Sequence, residues 1–266
     1  GEHFLYNDGL GNSRGAPNEF GRLGALLGPS GMGKSTTVGM ALSAIGPQVI
    51  HHTSYDGQPF HETQLLYHYL RVTESLSPED IYLHAARTAA LRTGNALLRK
   101  APGARRSPED KRDYCRGVMR SSHAGILVID NSAYMFRVSR ATAQQMIAMV
   151  INIRDDFELP VLLVGTCEAD KHLRADDSVA SRFSEGGYCT LERPTQWNDP
   201  DWNDMVETLW SYCWTRDTVE LDDTLKKFIF EKTQGVTRFL LVLLVQAQIM
   251  AIDSGHEKVD DLMLTA

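Results

Sequence analysis

The chain has 266 residues, of which 42% are hydrophobic and 23% are charged, and its formal net charge at pH 7 is -7. This length and composition predict a globular protein with one large domain, or with one domain and a smaller appendage. The negative charge argues against a surface coated with lysine and arginine for nucleic acid, although a local basic stripe is compatible with it. The four cysteines form no Cys-x-x-Cys pair, which argues against a zinc site and a disulfide framework and favours a cytoplasmic setting.

The beginning of the chain differs in composition from the rest. Residues 1–22 are rich in glycine, asparagine and proline and lack a sustained hydrophobic period. We interpret them as a loosely structured lead-in segment.

Short apolar runs alternate with helical stretches from Leu23 onward. "LGALLG" precedes a predicted helix from Lys34 to about Ile45, and "LLYHYLRV" precedes a second helix. "GILVID" precedes a helix near 141–156, which "PVLLVG" follows. This alternation predicts an α/β fold in which a parallel sheet lies between two layers of helices, and we place this αβα core at residues 23–194.

The tetrapeptide "SPED" occurs at residues 77–80 and again at 107–110, and each copy predicts a helix start. Serine caps free backbone N–H groups, proline fits the first helical position, and the acidic residues favour the positive end of the helix dipole. In the helix near 141–156, Met146, Val150 and Ile153 recur at helical spacing. We expect these three side chains to face the sheet.

Strand signals fade after residue 194, and three helical stretches follow. "DPDWNDMVETLWSYCW" places Met205, Leu209 and Cys213 on one helix face, "LDDTLKKFIFEKT" predicts a second helix, and a third begins at Thr237. The run "FLLVLLV" at 239–245 is shorter than the ~20 apolar residues that span a bilayer, so we interpret it as a buried helix. These stretches predict a small helical domain at residues 195–266.

The segment "GPSGMGKS" at 28–35 satisfies the pattern G-x-x-x-x-G-K-[ST], between a predicted strand and a predicted helix. Such a loop turns its backbone N–H groups inward on phosphates, its lysine reaches the terminal phosphates, and its serine hydroxyl binds Mg²⁺. The pattern therefore predicts ATP and Mg²⁺ as cofactors. The predicted nucleotide-binding residues are Gly28, Pro29, Ser30, Gly31, Met32, Gly33, Lys34, Ser35 and Thr36.

Two further strands end on polar residues. Asp130 closes "GILVID", and a carboxylate at the end of a buried strand beside a phosphate loop holds Mg²⁺ through water or together with Ser35. We therefore predict Ser35 and Asp130 as the metal-binding residues. Thr166 closes "VLLVGT" and places a hydroxyl beside the γ-phosphate if its strand lies between the other two; otherwise it only caps the strand end.

Two arginines are candidates for contact with a phosphate. Arg182 precedes a glycine-rich turn, and Arg238 starts the apolar helix. Such arginines stabilise phosphate charge from a neighbouring subunit or from a lid, and a surface position is the alternative for each. The histidines at 51, 52, 61 and 68 have no metal-ligand spacing, so we interpret them as strand and loop residues.

These motifs occur in the order found in AAA+ ATPases, whose αβα core is followed by a helical lid. More narrowly, the chain resembles the TnsC/TniB regulators of transposition, which are related to IstB and to the phage Mu B protein. The resemblance runs from Leu23 to the end of the chain. It is strongest in "DWNDMVETLW" and "FEKTQGVTRFLLVLLVQAQIMAIDSGHEKVDDLML", and "LPVLLVGTCEADKHLRADDSVASRF" is also similar.

The resemblance implies a role for each motif residue. The implied roles are phosphate and Mg²⁺ binding for Lys34 and Ser35, Mg²⁺ binding for Asp130, sensor 1 for Thr166, sensor 2 for Arg238, and arginine finger for Arg182, with Arg174 as a nearby alternative. The family assembles with ATP into rings or helical filaments around double-stranded DNA and marks a target for its transposase. The implied partners are DNA, further copies of the chain, a transposase and a TnsD- or TniQ-like protein in the bacterial cytoplasm, and no membrane.

Two segments are candidates for contact with the DNA backbone. One is the turn after "LRVTES", where the family places DNA contacts, and the other is the basic stretch "RKAPGARRSPEDKRDYCRGVMR", for which a solvated helix face is the alternative. Backbone contacts predict an affinity that depends on salt and only weakly on DNA sequence. The candidate residues are Arg71, Thr73, Ser77, Arg99, Lys100, Arg105 and Arg106.

Asn131 departs from the AAA+ pattern, which has a glutamate after the metal-binding acid. An amide orients water but cannot accept its proton, and general-base assistance contributes ~10²–10⁴ in rate. We therefore predict slow hydrolysis, with Glu168 as a candidate substitute base. Two functions stay open: a regulatory ATPase whose slow hydrolysis releases it from DNA, and an adaptor that binds ATP and scarcely hydrolyses it. A helicase-loader-like or signalling NTPase is a third.

Overall fold

The computed structural model describes residues 22–74, 76–103, 105–260 and 263–264. The lead-in predicted for 1–22 therefore lies, except for Arg22, outside the described residues. The chain forms two compact units. The first contains the described residues up to Leu27 together with Lys34–Thr190, and the second contains Gly28–Gly33 and the described residues from Leu191 onward.

The first unit contains a five-stranded sheet with the order β4-β5-β6-β1-β7, in which every neighbouring pair is parallel. A separate antiparallel pair, β2 and β3, belongs to the same unit. The strands of the described residues are β1 (Leu23–Leu27), β2 (Val49–Tyr55), β3 (Gln58–Leu65), β4 (His68–Arg71), β5 (Leu127–Asp130), β6 (Val161–Gly165) and β7 (Tyr188–Thr190).

Helices surround this sheet. The helices of the first unit are α1 (Lys34–Ile45), α2 (Pro78–Thr93), a short 3-10 helix (Ala96–Lys100), α3 (Pro108–Ser121), α4 (Ala133–Phe136), α5 (Arg140–Phe157), α6 (Cys167–Leu173) and α7 (Asp177–Ser184). Both "SPED" predictions are confirmed, because the Ser77 hydroxyl accepts from the Asp80 N–H at 3.2 Å and the Ser107 hydroxyl accepts from the Asp110 N–H at 3.1 Å.

Apolar residues on both faces of the sheet hold the helices in place. Alternate strand residues such as Leu127, Ile129 and Leu163 pack into one cluster with α2, α3 and α5, which includes the predicted Met146, Val150 and Ile153. The intervening Val128 and Val164 pack on the opposite face against Val38 and Leu42 of α1. Burying one such side chain contributes about 1.5–3 kcal/mol. The predicted arrangement of a parallel sheet between helical layers is thus confirmed.

The hairpin of β2 and β3 was not predicted. Its two-residue turn consists of Asp56 (φ 46°) and Gly57 (φ 74°), and Tyr55 pairs with Gln58 across it. An Asp-Gly pair with positive φ at both residues is typical of a tight hairpin turn, and this signal could have revealed it. The strands themselves are largely polar and exposed, so the hydrophobic pattern gave no indication of them. The predicted strand "LLYHYLRV" is consequently divided between the end of β3 and β4.

The described part of the second unit contains the helices α8 (Pro200–Trp210), α9 (Asp223–Thr233) and α10 (Thr237–Asp253). Its core includes Trp202, Val206, Ile229 and Leu240. The prediction that Cys213 shares a helix face with Met205 and Leu209 was wrong, because α8 ends at Trp210. Met205 and Leu209 are only partly buried, and the fully buried face is formed by Trp202 and Val206.

The apolar helix α10 is buried along only one face. Leu240, Leu244, Ala247 and Ala251 lie in the interior. Five large aliphatic residues on another face are 44–52% exposed: Leu241, Val242, Val245, Ile249 and Ile252. The interpretation of this run as a buried helix was therefore only partly correct, since an all-apolar helix that packs on one side leaves its other faces in solvent.

Among the described residues, no single helix has the length and apolar character to span a membrane. Helices α9 and α10 satisfy that test only when they are taken together, and they are bent by 115° at their junction.

The buried side chains of the first unit include a histidine whose protonation is affected by burial. His68 is fully buried on β4, and its Nε2 lies 3.1 Å from the Thr88 hydroxyl. Burial, with a smaller contribution from the charge of Arg92, lowers the pKa of His68 to about 4. The folded protein therefore holds this imidazole in its neutral form.

We expect His68 to make folding dependent on acid. The pKa of His68 is lower in the folded than in the unfolded chain. The stability that His68 contributes is therefore complete above pH ~6.5 and is lost as the pH falls from ~6.5 towards ~4. Between pH 7 and pH 5 this amounts to about 2 kcal/mol. Urea unfolding at both pH values should show a correspondingly smaller loss in His68→Gln. The matched control is His61→Gln, since His61 is exposed on β3, and it should behave like the native protein. An equal acid loss in native protein and His68→Gln would contradict the assignment.

Candidate functional site

Lys34, Ser35 and Asp130 meet within the first unit. Lys34 and Ser35 begin α1, and Asp130 is the last residue of the fully buried strand β5. The Ser35 hydroxyl donates to Asp130 Oδ2 at 2.8 Å. Burial lowers the pKa of Lys34, and the charges of Cys167 and Asp130 oppose this effect. Ser35 and Asp130, the two residues predicted to bind the metal, are thus in contact, and Lys34 directly precedes Ser35.

Tyr69 is a residue of this site that sequence analysis missed. It lies on β4, and its phenol donates to Asp130 Oδ2 at 2.5 Å. Burial first, and then the hydrogen bond to Asp130, raise the pKa of Tyr69 to about 12, so the phenol keeps its proton at neutral pH. No motif marks this tyrosine, because its position depends on β4 pairing beside β5, which the sequence pattern does not specify.

Asn131 adopts a left-handed backbone conformation, with φ of 62°. Its N–H donates to Asp130 Oδ1 at 2.7 Å, and its side-chain amide donates to the Val72 carbonyl at 3.0 Å. Asparagine is enriched among non-glycine residues that adopt this conformation. The amide is thus engaged with the backbone just after β4. A glutamate there would lack the N–H donor and would be less suited to the backbone conformation.

Thr166 follows β6, which lies between β1 and β5 in the sheet. The predicted contact of Thr166 with a γ-phosphate depends on this strand position. Its hydroxyl is buried and has no hydrogen-bond partner among the described residues. A buried hydroxyl without a partner is uncommon in folded proteins. Thr166 therefore carries an unused hydrogen-bonding group at the end of the strand beside Asp130.

The candidate substitute base, Glu168, is an exposed residue of α6. Its carboxylate accepts from Arg137 Nε at 2.9 Å, and both side chains are 54% exposed. The Glu168 carboxylate is thus paired with a surface guanidinium.

The two candidate arginine fingers have different surroundings. Arg174 Nε lies 2.6 Å from Asp170 Oδ1, and its guanidinium lies 4.8 Å from the Tyr188 ring centroid. Arg182, on α7, forms a longer ion pair of 3.7 Å with Asp155 among the described residues. Arg174 is therefore more firmly held within its own chain than Arg182.

The glycines of the phosphate loop and Arg238 belong to the second unit. Gly31 and Gly33 have φ of 83° and 81°, which side-chain-bearing residues rarely adopt. The Arg238 N–H donates to the Gly31 carbonyl at 2.9 Å, and a Cβ on Gly31 would lie 2.9 Å from Val236. The loop therefore packs closely against the start of α10.

The DNA candidates differ in how free their side chains are. The exposed ones are Arg71, Thr73, Arg99, Lys100, Arg105 and Arg106. Ser77 is instead the N-cap of α2 and also donates to Asp80 Oδ2 at 2.9 Å. Lys111, in the same basic stretch as Arg105, is buried and lies 3.1 Å from Asp80 Oδ1, so it contributes to folding rather than to an exposed basic surface.

The donor set suits a small hard cation. Ser35 and Asp130 offer hydroxyl and carboxylate oxygens, the ligands that Mg²⁺ prefers, and Mg²⁺ completes its shell with water and substrate phosphates. Within the described residues, no group of three or more His, Cys, Asp or Glu side chains is arranged to hold a metal ion by itself. His51 and His52 instead lie within hydrogen-bonding distance of Thr63 and Gln64 across the hairpin.

Comparisons with known proteins agree with this description. Residues 95–190 match the family model described as Bacterial TniB protein. Among solved structures, Cdc6p from Pyrobaculum aerophilum has a TM-score of 0.56 at 13% identity, over 91% of this chain and 59% of that one. This likeness shows the fold alone, an α/β core with a parallel sheet between helices.

Two other solved structures are similar at a lower score. Domain III of the replication initiation protein DnaA from Thermotoga maritima has a TM-score of 0.49 at 16% identity, over 93% of this chain and 83% of that one. The RuvB Holliday junction branch migration motor from the same organism has 0.46 at 15%, over 92% and 60%. The chain thus spans about three fifths of Cdc6p and RuvB. In the search of curated proteins, nothing matches.

We expect Gly31→Ala to destabilise the protein, because alanine costs about 1–2 kcal/mol in the left-handed region and its Cβ would press on Val236. Gly39→Ala is the matched control. Gly39 lies inside α1 with open space around its Cα, so alanine should stabilise that helix by up to ~1 kcal/mol. Thermal unfolding of both variants checks this, and equal midpoints would show that the loop conformation at Gly31 is not a constraint.

Proposed function

From the TniB-like segment at 95–190 and the AAA+ fold, we propose that this protein is an ATP-dependent, DNA-binding regulator of transposition. The observation that carries the proposal is the hydrogen bond between Ser35 and Asp130, which joins the end of the phosphate-loop motif to a strand-end acid. The exposed arginines before α3 and the residues after β4 support a role in DNA binding. Partners are further copies of the chain, a transposase and a TnsD- or TniQ-like protein in the bacterial cytoplasm.

The nucleotide is held by the chain's own groups. Backbone N–H groups of the phosphate loop surround the phosphates, and the Lys34 ammonium neutralises charge on the terminal phosphates. Ser35 and Asp130 would hold Mg²⁺, which would neutralise negative charge on the phosphates. The buried hydroxyl of Thr166 acts as sensor 1 for the nucleotide. Arg238 acts as sensor 2, and Arg182 acts as the arginine finger towards a neighbouring subunit.

Hydrolysis is slow in this proposal because the site lacks its general base. The Asn131 amide cannot accept a proton from water, and it is hydrogen-bonded to the Val72 carbonyl. Glu168 is a weak substitute, since it is paired with Arg137 on the surface. The absence of general-base assistance lowers turnover by ~10²–10⁴ without preventing binding. Asn131 also favours the second candidate function, an adaptor that assembles with ATP and scarcely hydrolyses it.

Asn131→Glu should raise the rate of ATP hydrolysis, by up to the ~10²–10⁴-fold that a general base contributes. Asn131→Gln is the matched control, because it has the same length but keeps an amide, and it should stay near the native rate. Phosphate release with and without duplex DNA measures all three proteins. Strong DNA-stimulated turnover in the native protein would reject the adaptor, whereas no release beside tight ATP binding would favour it.

DNA binding should weaken as salt rises, because each lysine or arginine on a phosphate releases counterions. Replacing Arg105 and Arg106 together by alanine should reduce the slope of log affinity against log salt by ~0.9 for each phosphate that the variant no longer neutralises. Arg71→Ala tests the segment after β4 in the same way. Arg216→Ala, at a residue 76% exposed in the second unit, is the control. Affinity that is independent of salt, or that requires one fixed sequence, would contradict backbone binding.

A further inference from the structure

Asp130 Oδ2 accepts hydrogen bonds from two hydroxyl groups at once. Ser35 donates at 2.8 Å and Tyr69 donates at 2.5 Å, while the Asn131 N–H occupies Oδ1 at 2.7 Å. The Asp130 side chain is buried. Removing one of its hydrogen-bond donors therefore costs more free energy than it would at the surface. Tyr69 belongs to no motif, and among the donors to Oδ2 it is the one without a role in the proposed nucleotide site.

We propose that Tyr69 is a positioning residue that fixes the Asp130 carboxylate for Mg²⁺. This inference rests on the proposed function, because it concerns the same nucleotide site. A Ser35 hydroxyl that binds a metal through an oxygen lone pair keeps its proton, so it can still donate to Asp130. Tyr69 is the second side-chain donor to Oδ2, and it orients the carboxylate without being a predicted metal ligand itself.

The strand that carries Tyr69 is well suited to this role. β4 pairs with β5 in a register that places Tyr69 beside Val128 and Arg71 beside Asp130. The Val72 N–H donates to the Asp130 carbonyl at 3.0 Å, which extends the pairing past the strand end. The ring of Tyr69 packs against the apolar cluster formed by α1 with β5 and β6. A tyrosine has only two side-chain torsions, so packing and register together fix the position of its hydroxyl.

The size of the effect follows from similar arrangements around bound metals. Partners that orient a ligating side chain change metal affinity by about 10–100-fold when they are removed. Without the Tyr69 hydroxyl the carboxylate keeps its hydrogen bonds from Ser35 and the Asn131 N–H, but it is less restricted, and the added freedom is lost when the metal binds. The change should affect the metal-dependent part of nucleotide binding and leave the metal-independent part, which involves the loop N–H groups and Lys34, unaltered.

The test is Tyr69→Phe, which removes only the hydroxyl. A fluorescent ATP analogue is titrated into each protein in EDTA and at increasing Mg²⁺, and Mn²⁺ binding is followed separately by electron paramagnetic resonance. We expect Tyr69→Phe to need about 10–100-fold more Mg²⁺ for half of the metal-dependent gain in affinity. Its affinity for the analogue in EDTA should equal that of the native protein.

Tyr67→Phe is the matched control. Tyr67 precedes β4 and packs against the same apolar cluster, and its hydroxyl makes none of the hydrogen bonds to Asp130 described above. It should need the same Mg²⁺ as the native protein. Three results would overturn the proposal: an unchanged Mg²⁺ requirement in Tyr69→Phe, an equal loss of affinity with and without metal, or an equal effect of Tyr67→Phe. Native protein that binds no ATP analogue under any condition would instead reject the proposed function.

Discussion

The parallel pairing of β4, β5, β6 and β1 is the constraint on which the rest of the first unit depends. Parallel strands end at the same edge of a sheet, and ligands of open α/β proteins bind at that edge. The register aligns Arg71 with Asp130 and Asp130 with Val164, so the residues that follow three strands lie side by side. A buried carboxylate, a buried hydroxyl and the asparagine amide are thus concentrated at one place in the fold.

The same edge joins the strand-end acid to the segment after β4. The Asn131 N–H donates to the Asp130 carboxylate, and the Asn131 side-chain amide donates to the Val72 carbonyl. The Val72 N–H in turn donates to the Asp130 carbonyl. These three bonds link the proposed metal ligand to the start of a proposed DNA-contacting segment. An asparagine at this position therefore has a structural consequence besides the loss of a base, because a glutamate could not donate to Val72.

Features set by neighbouring residues in the chain could be predicted from the sequence, whereas features set by contacts between distant elements could not. The phosphate loop, the two serine caps and the alternation of strands and helices are short-range patterns, and they predicted the αβα arrangement. The Asp-Gly turn of the hairpin is equally local, but its polar strands carry no hydrophobic period, so it was missed. Tyr69, the buried Lys111 and the exposed face of α10 depend on which elements become neighbours, and that information is absent from local pattern.

The hydrogen bonds around Asp130 also bear on how a slow ATPase retains its nucleotide. Weak hydrolysis is useful to a regulator only if binding stays tight, and tight binding requires an ordered metal ligand. In the proposed function, Asp130 would meet this requirement, because it accepts from Ser35, Tyr69 and the Asn131 N–H, and the last two lie outside the phosphate loop. Replacing glutamate by asparagine removes the proton acceptor and adds a tether to Val72. In the proposed function, the same substitution therefore slows the chemical step and holds the strand ends in the arrangement that binds ATP.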